Sequence, residues 1–223
     1  MSSLFYGTVT NLLKDSLITL MESSALTKFR LVGGTSLSLQ IGHRISVDID
    51  LFTDAPYGSI DFKEIDDFIE NTFPFHVHSS EINPAMGKSY SIGADTDNTV
   101  KLDVFYTDTF IQPALVVEGI RLATIEEIIA MKVDVVQRVG RKKDFWDLHE
   151  LLTNHDIQAM IALHQRRYPY THDKDLILKH NEMESRINMS GYATITSGNG
   201  DYTIQHYIRS TSSLDYIPNG HLD

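Results

Sequence analysis

The segment from Val47 to Phe52 constrains the fold more than any other stretch of the sequence. Three apolar residues, at positions 47, 49 and 51, alternate there with Asp48 and Asp50. A period of two residues is that of a β-strand, whose successive side chains point to opposite faces of a sheet. The segment therefore predicts a strand with one apolar face to be covered and one face that carries two carboxylates.

The spacing of Asp48 and Asp50 places both carboxylates on the same side of the strand, with Cβ atoms about 7 Å apart. Like charges at that distance repel each other and raise a pKa unless a cation lies near them. Hard divalent ions such as Mg²⁺ or Mn²⁺ are the natural partners of oxygen-only ligands. The alternative interpretation is a pair of solvated carboxylates on an exposed strand.

A second strand with a central carboxylate is predicted from Val100 to Tyr106. Polar and apolar residues alternate in this run, and Asp103 lies in its middle. If the two strands are neighbours in one sheet, Asp48, Asp50 and Asp103 converge. Such convergence is the arrangement that two-metal phosphoryl or nucleotidyl transfer requires.

Gly33 and Gly34 follow a short predicted strand, and the segment Thr35 to Ile41 after them has two interpretations. Its alternating leucines and serines are compatible with a strand, in which case the glycine pair is a hairpin turn. Thr35 and Ser36 are equally good helix caps, and a helix here would offer backbone N–H groups to a phosphate. The chain has neither a Walker A lysine nearby nor Gly-x-Gly-x-x-Gly, so P-loop and Rossmann sites are excluded.

After Pro113 the sequence becomes helical in character. Apolar residues at positions 125, 128, 129, 136 and 139 form one stripe of a helix, and Lys132 falls within it. A buried ammonium is unfavourable without an anionic partner. Lys132 therefore either extends its stem to water or contacts a nucleotide phosphate or the carboxylate cluster.

The charge of the chain bears on nucleic-acid binding. With 30 acidic and 19 basic side chains the formal charge is −11, which opposes broad adhesion to nucleic acid. One dense basic segment stands out as a candidate RNA-binding surface, made up of Arg138, Arg141, Lys142 and Lys143. The alternative is a solvated loop, with Asp144 or Asp147 capping the following helix.

Composition narrows the remaining possibilities. The 223 residues, 42% of them hydrophobic, are enough for one globular domain with an appendage. The absence of cysteine excludes disulfides, cysteine-ligated metals and thiol nucleophiles. No window approaches the roughly 18 apolar residues that span a bilayer, and the first residues lack the features of a signal peptide. We expect no membrane partner and a cytoplasmic location.

The run from Leu31 to Phe52, LVGGTSLSLQIGHRISVDIDLF, resembles the signature of AbiEii/AbiGii-type nucleotidyltransferases, which belong to the DNA polymerase β nucleotidyltransferase superfamily. The pattern of that superfamily is a glycine pair or Gly-Ser, then Asp-x-Asp on a strand, then a carboxylate on a later strand. The matching residues, in order, are Gly33, Gly34, Asp48, Asp50 and Asp103. Gly34 departs from the serine that the superfamily often has, so a hydroxyl contact to phosphate would have to come from Thr35 or Ser36.

The resemblance continues downstream and covers about residues 25 to 170. An Ala-x-Lys helix and a Lys-Asp-x-x-Asp-Leu helix of the family match Ala130-Met-Lys132 and Lys143-Asp-Phe-Trp-Asp-Leu148. The resemblance implies that residues 35 to 42 are helical and that the fold is α/β (α+β), with a mixed central sheet flanked by helices and then a helical C-terminal region. We expect a catalytic core over residues 1–112, a helical region that completes the active site over 113–180, and a polar tail over 181–223. The tail resembles nothing in the family, although residues 192 to 208 could form a hairpin.

The activity that the resemblance implies is transfer of a nucleoside monophosphate from an NTP to an acceptor hydroxyl, with Mg²⁺ or Mn²⁺ as cofactor and pyrophosphate as the leaving group. Asp48, Asp50 and Asp103 would bind the metal. Lys132 and Asp144 would join them in catalysis, while the nucleotide would bind to Gly33, Gly34, Thr35, Ser36 and Lys132.

Three hypotheses about the function remain open at the level of sequence: two differ in the acceptor, and one has no reaction. Some members of the family are toxins that modify the acceptor end of tRNA and pair with a cognate antitoxin, which makes tRNA and an antitoxin protein candidate partners. A small cationic acceptor, such as an aminoglycoside, suits the net charge of −11 better. The third possibility is a catalytically silent binding module of the same fold.

Overall fold

The computed structural model describes residues 3–78, 85–173, 177, 192–197 and 200–205. The chain divides into two compact units, Met1–Ile177 and Leu178–Asp223. In the second unit, strands Tyr192–Ser197 and Gly200–Gln205 pair in antiparallel fashion, which confirms the predicted hairpin as far as residue 205. The rest of the tail predicted for residues 181–223 lies outside the described residues. No helix in the described ranges is long and apolar enough to cross a membrane.

The first unit is built on one seven-stranded sheet. Its strands are β1 Arg30–Leu31, β2 Asp48–Thr53, β3 Phe75–His78, β4 Gly87–Gly93, β5 Thr99–Tyr106, β6 Leu115–Val117 and β7 Ile120–Leu122. Their order is β3-β4-β5-β2-β1-β7-β6. The β2–β5 and β1–β7 pairs are parallel, whereas the other neighbours are antiparallel. The predicted mixed sheet is thereby confirmed.

Six α-helices accompany the sheet in the part of the chain that the structure describes. They are α1 Asn11–Glu22, α2 Gly33–Ile41, α3 Phe62–Thr72, α4 Ile125–Val139, α5 Lys142–Leu151 and α6 Ile157–Arg167. Thr10 caps α1 by accepting a hydrogen bond from the Leu13 N–H at 3.1 Å, which fixes the start of the helix at Asn11. In the same way Thr124 and Asp156 cap α4 and α6, and the Asp61 carboxylate caps α3.

Helices α1 and α3 bury one face of the sheet. Apolar side chains of α1 and α3 pack against alternate residues of β2 and β5 in a core that includes Leu13, Leu17, Leu20, Ile65, Ile69, Ile49, Leu51, Leu102 and Val104. Alternation along β2 and β5 leaves Asp48, Asp50 and Asp103 on the opposite face. Val47 was expected on the apolar face, but it precedes the strand and is exposed.

Residues 35 to 41 are helical, as the resemblance implied. The alternation of leucine and serine does not mark a strand here because residues 35 to 39 are all buried, on every side of α2. Gly33 and Gly42 have φ angles of 68° and 71°, the left-handed region that favours glycine. The two glycines therefore set where the helix begins and ends.

The segment after Pro113 differs from the expectation of helices alone. It first forms a hairpin, β6–β7, and β7 joins the sheet beside β1, where Leu31 pairs with Leu122. The turn, Glu118-Gly119, has positive φ at both residues, 53° and 81°. Glutamate is not among the residues that usually signal such a turn, so the pattern gave no hairpin signal. The division of the chain at residues 112 and 180 stays a prediction.

Candidate active site

Strands β2 and β5 bring the three predicted carboxylates to one face of the sheet. In the parallel register Asp50 lies opposite Asp103, and Asp48 lies opposite Lys101. Neighbouring strands are about 4.8 Å apart, and residues paired across them point to the same face. The adjacency that the sequence left open is thus present in the fold.

Asp50 occupies the middle of this group. Burial raises the pKa of its carboxyl to about 6, helped by the negative charges of Asp103 and Asp48. No described residue donates a hydrogen bond to this carboxylate, and its Oδ2 packs against Gly33, where an added Cβ would lie 2.6 Å away. A carboxylate with this surrounding is a good ligand for a cation.

The two outer aspartates are paired with lysines. Asp103 accepts hydrogen bonds from Lys101 Nζ and from the Ser89 hydroxyl, both at 2.6 Å. Lys143 of α5 brings its Nζ to 3.5 Å from Asp48 Oδ2. With these pairs formed, no group of three His, Asp or Glu side chains among the described residues is arranged as a metal site. The chemistry of the donor set, three carboxylates on neighbouring strands, nevertheless fits a hard divalent ion.

Gly34 explains a departure from the superfamily pattern. A Cβ at this position would collide with Nη2 of Arg44, whose guanidinium lies over the start of α2. Serine does not fit while Arg44 holds that place. The N-cap residue of α2, Val32, offers no side-chain acceptor, so the first N–H groups of the helix have no cap.

The hydroxyls of Thr35 and Ser36, the candidates for a contact to phosphate, both have partners within the protein. The Thr35 hydroxyl bonds to the Ser46 hydroxyl at 2.7 Å and to the carbonyl of Asp48. The Ser36 hydroxyl is 3.5 Å from the carbonyl of Ala123. Both side chains are buried and fix α2 within the fold. A contact of either hydroxyl with nucleotide stays a prediction, beside contacts from the backbone of this turn.

Lys132 has a different partner from those considered for it. Its Nζ lies 3.0 Å from Asp144 Oδ1 and 2.6 Å from Asp147 Oδ2, and its side chain is only 6% exposed. The interpretation in which the stem reaches water is therefore wrong. Lys132 pairs with the carboxylates of α5 and makes no ion pair with the aspartates of the sheet.

Asp147 is the centre of a buried charge network that the sequence reasoning missed. Besides Lys132, it accepts hydrogen bonds from Arg44 Nε at 2.6 Å, Arg44 Nη2 at 2.8 Å and His43 Nε2 at 2.7 Å. Burial alone would raise the pKa of Asp147, but the hydrogen bonds from Arg44 and His43 and the charge of Lys132 outweigh it and hold the pKa well below its usual range. The only sequence signal was the adjacent pair His43-Arg44, just before the Asp-x-Asp strand.

Asp144 combines two contacts. Its Oδ2 accepts from the backbone N–H of Arg141 at 3.1 Å, which makes it the cap that the alternative interpretation expected. Its Oδ1 pairs with Lys132. Burial opposes ionisation, yet Lys132 and Arg141 together lower the pKa of Asp144. Asp144 therefore lies in the network of Lys132, and its ion pairs are with Lys132 and Arg141.

The four cations of the predicted RNA-binding segment have different partners within the protein. Arg138 pairs with Asp134 at 2.9 Å, and Arg141 pairs with Asp144 at 3.2 Å. Lys142 lies over the ring of Trp146, and Lys143 reaches Asp48. Arg138 and Arg141 remain largely exposed, and an RNA-binding surface over residues 138 to 143 stays a prediction.

Two adjoining cavities lie beyond the C-terminal ends of β2 and β5. One, of about 390 Å³, is lined in part by Tyr57, Tyr106 and Arg138. The second, of about 340 Å³, shares Arg138 and Tyr168 with the first and also contains Arg166. Neither cavity is lined by the three sheet aspartates, so they are candidates for a second ligand.

Comparison with known proteins finds one matching family and several similar proteins. The family model described as "Nucleotidyl transferase AbiEii toxin, Type IV TA system" matches residues 16–202, so the expectation that nothing after residue 180 resembles the family is wrong as far as residue 202. A protein of Aquifex aeolicus is 26% identical over 160 residues, which are 70% of this chain and 73% of that protein. JHP933 from Helicobacter pylori is 21% identical, with 79% of this chain and 78% of that one covered at a TM-score of 0.48. MenT4, a nucleotidyltransferase toxin from Mycobacterium tuberculosis, is 16% identical, with 68% and 60% covered at a TM-score of 0.44.

Proposed function

The chain belongs to the family of AbiEii nucleotidyltransferase toxins of type IV toxin–antitoxin systems, and from that premise we propose that it transfers a nucleoside monophosphate from an NTP to an acceptor hydroxyl with the help of Mg²⁺ or Mn²⁺. The observation that carries the proposal is the pairing of Asp50 with Asp103 across β2 and β5, with Asp48 on the same face. In the reaction the acceptor oxygen bonds to the α-phosphorus. The bond between the α-phosphorus and the oxygen that bridges it to the β-phosphorus breaks. Pyrophosphate and the hydroxyl proton leave.

The three carboxylates have distinct parts in this proposal. Asp48, Asp50 and Asp103 would hold the divalent ions, which when bound neutralise the triphosphate and lower the pKa of the acceptor hydroxyl. Asp50 is the central ligand, because its carboxylate receives no hydrogen bond from the described part of the chain. Asp103 would also accept the hydroxyl proton.

The triphosphate would lie against the start of α2. Its uncapped N–H groups and the positive end of the helix dipole attract a phosphate. Gly33 lets the backbone approach Asp50 closely, so phosphate and metal ligands would meet at one place. Gly33 and Gly34 are thus proposed to contact nucleotide through their backbone.

Lys132 and Asp144 keep a role in activity, but as positioning residues. Both are buried, and together with Asp147 they connect α4 and α5 to Arg44, which packs against Gly34. Loss of this network would shift the start of α2 relative to the sheet. We therefore assign Lys132 to the support of the nucleotide site.

For the acceptor we favour the end of an RNA, such as a tRNA, in the adjoining cavities. Aromatic side chains and guanidinium groups are typical of single-stranded RNA sites, and the cavities offer Tyr57, Tyr168, Arg138 and Arg166. The opposing observation is the net charge of −11, which favours a small cationic acceptor. An antitoxin protein is proposed as a partner on the ground of family membership.

The test is to incubate the protein with each labelled NTP and total cellular RNA, with Mg²⁺ or with EDTA. We expect one NTP to label RNA only when Mg²⁺ is present, and the double variant Asp48→Asn, Asp50→Asn to label nothing. Label on an aminoglycoside in place of RNA would support the small cationic acceptor. Absence of metal-dependent NTP binding would leave only the catalytically silent module.

A further inference from the structure

Two lysines hold the outer carboxylates of the proposed metal site. Lys101, on β5, pairs with Asp103 at 2.6 Å, and Lys143, on α5, approaches Asp48 to 3.5 Å. Their side chains are 57% and 39% exposed, in contrast to the buried Lys132. These two lysines are therefore free to leave their partners without disturbing the core.

The arrangement balances most of the charge of the cluster. Three carboxylates within one face of the sheet carry up to three negative charges, and the two ammonium groups offset two of them. Each lysine takes an oxygen that a divalent ion would also need. Ion pairs between exposed side chains are weak, whereas a divalent ion binds two or three carboxylates at once. The lysines thus keep the site together without closing it to a metal.

Lys143 and Lys101 lie on different elements of the fold. Lys101 lies on the same strand as its partner, two residues away. Lys143 begins in the first turn of α5, the helix whose Asp147 binds Arg44 beside Gly34. The stem of Lys143 therefore starts on the side of the site where α2 begins and where the triphosphate is proposed to bind.

We infer that Lys101 and Lys143 are built-in counter-ions that compete with the divalent ion for Asp103 and Asp48, and that Lys143, once released from Asp48, binds the triphosphate. This inference rests on the proposed function and deepens it. Lys143 takes the phosphate-neutralising role for which Lys132 was the sequence-based candidate. It also means that Lys143 belongs to the nucleotide site and not to an RNA-binding surface.

The first measurement is calorimetric titration of the full chain with Mn²⁺ in the absence of nucleotide. Lys101→Met and Lys143→Met should each bind Mn²⁺ about two- to fivefold more tightly than the parent, because a competing cation is gone. Lys142→Met removes a charge from the neighbouring residue of the same helix, whose Nζ lies over Trp146, and should leave Mn²⁺ affinity unchanged. Lys143→Arg keeps the charge and should resemble the parent.

The second measurement is titration with a non-hydrolysable NTP analogue at saturating Mn²⁺. Lys143→Met should lose about tenfold in affinity, as expected for a charge-assisted contact to phosphate, while Lys101→Met and Lys142→Met should lose little. Lys143→Met is therefore the one variant of the four expected to bind Mn²⁺ more tightly than the parent and the NTP analogue more weakly.

Three results would overturn the inference, and they can be told apart. Unchanged or weaker Mn²⁺ binding by both Lys101→Met and Lys143→Met would show that the lysines do not compete with the metal. Tighter Mn²⁺ binding with unchanged analogue affinity in Lys143→Met would remove the contact to the triphosphate. Failure of the parent chain itself to bind Mn²⁺ would refute the proposed function together with the inference.

Discussion

Asp147 accepts both arms of the Arg44 guanidinium, Nε at 2.6 Å and Nη2 at 2.8 Å, although 103 residues separate the two in the chain. This bidentate pair attaches α5 to the loop before β2, and Lys132 attaches the same carboxylate to α4. The geometry of a planar fork on a carboxylate is well defined. The pair therefore fixes the place of Arg44 over Gly34 and, with it, the start of α2.

Removing the charge of Asp147 should destabilise the fold strongly. Asp147→Asn leaves Arg44 without its buried anion and Lys132 with Asp144 alone, and breaking a buried pair in this way typically lowers the free energy of unfolding by about 3–5 kcal/mol. Urea denaturation measures this change. The matched control is Asp67→Asn, which removes an exposed i,i+4 partner of Lys63 and should leave stability nearly unchanged, because exposed ion pairs contribute little. Equal effects of the two substitutions would contradict the network.

The depressed pKa of Asp147 predicts a dependence of stability on pH. The pKa of the Asp147 carboxyl is about 3.9 in the unfolded chain and lower in the folded one. The folded state therefore binds fewer protons than the unfolded state in this pH range. The stability that Asp147 contributes is therefore present above about pH 4 and is lost as the pH falls further. Unfolding midpoints measured from pH 7 to pH 3 should drop less steeply for Asp147→Asn than for the parent. A parallel decline in the two proteins would assign the acid sensitivity to other carboxyls.

Lys132 should behave as a structural cation. Lys132→Met retains the volume of the stem but leaves Asp144 and Asp147 with one cation fewer, so we expect a loss of about 3 kcal/mol in unfolding free energy. Because Lys132 makes no ion pair with the sheet aspartates, Mn²⁺ affinity of the folded variant should equal that of the parent. A large loss of Mn²⁺ affinity at full folding would place Lys132 in the metal site after all.

A substitution at Gly34 tests whether the Arg44 guanidinium is fixed next to it. A side chain there must displace the guanidinium that Asp147 holds, so Gly34→Ala should destabilise the fold by about 1–3 kcal/mol, the usual effect of overpacking. Gly7 is the control, because a Cβ built on it meets no atom within 4 Å, and Gly7→Ala should be close to neutral. Denaturation curves of the two variants decide the matter, and a neutral Gly34→Ala would mean that Arg44 is not fixed.

Features of this site that depend on a few neighbouring residues were predictable from the sequence, whereas features that depend on distant elements were not. The alternation around Asp48, Asp50 and Asp103 is local, so both strands were predicted from a few residues each. The two-sided burial of α2 depends on elements far along the chain, and local alternation there was ambiguous. Resemblance to a known family resolved that ambiguity because it used several ordered motifs together.

Partners of charged side chains are harder to predict than strands. Lys132 finds its carboxylates on the next helix, and Lys143 finds Asp48 on a distant strand. Spacing along one helix says which face a lysine is on but not which element covers that face. The spacing of the basic segment likewise does not indicate that each of its cations has a different partner.

The last prediction separates an RNA acceptor from a small cationic one. If RNA binds along the two cavities, Arg138→Gln combined with Arg166→Gln removes phosphate contacts and should make the log–log slope of RNA affinity against salt shallower by about 1 to 2 units. Lys142→Gln lies outside the cavities and should leave the slope unchanged. Mn²⁺ affinity should be the same in all three proteins, because Arg138 and Arg166 make no ion pair with the sheet aspartates.

A small cationic acceptor would be attracted by Asp108 and Asp134 of the larger cavity, so its turnover should be unchanged or faster in the double variant. An unaltered salt slope would remove Arg138 and Arg166 from the RNA hypothesis and favour that smaller acceptor.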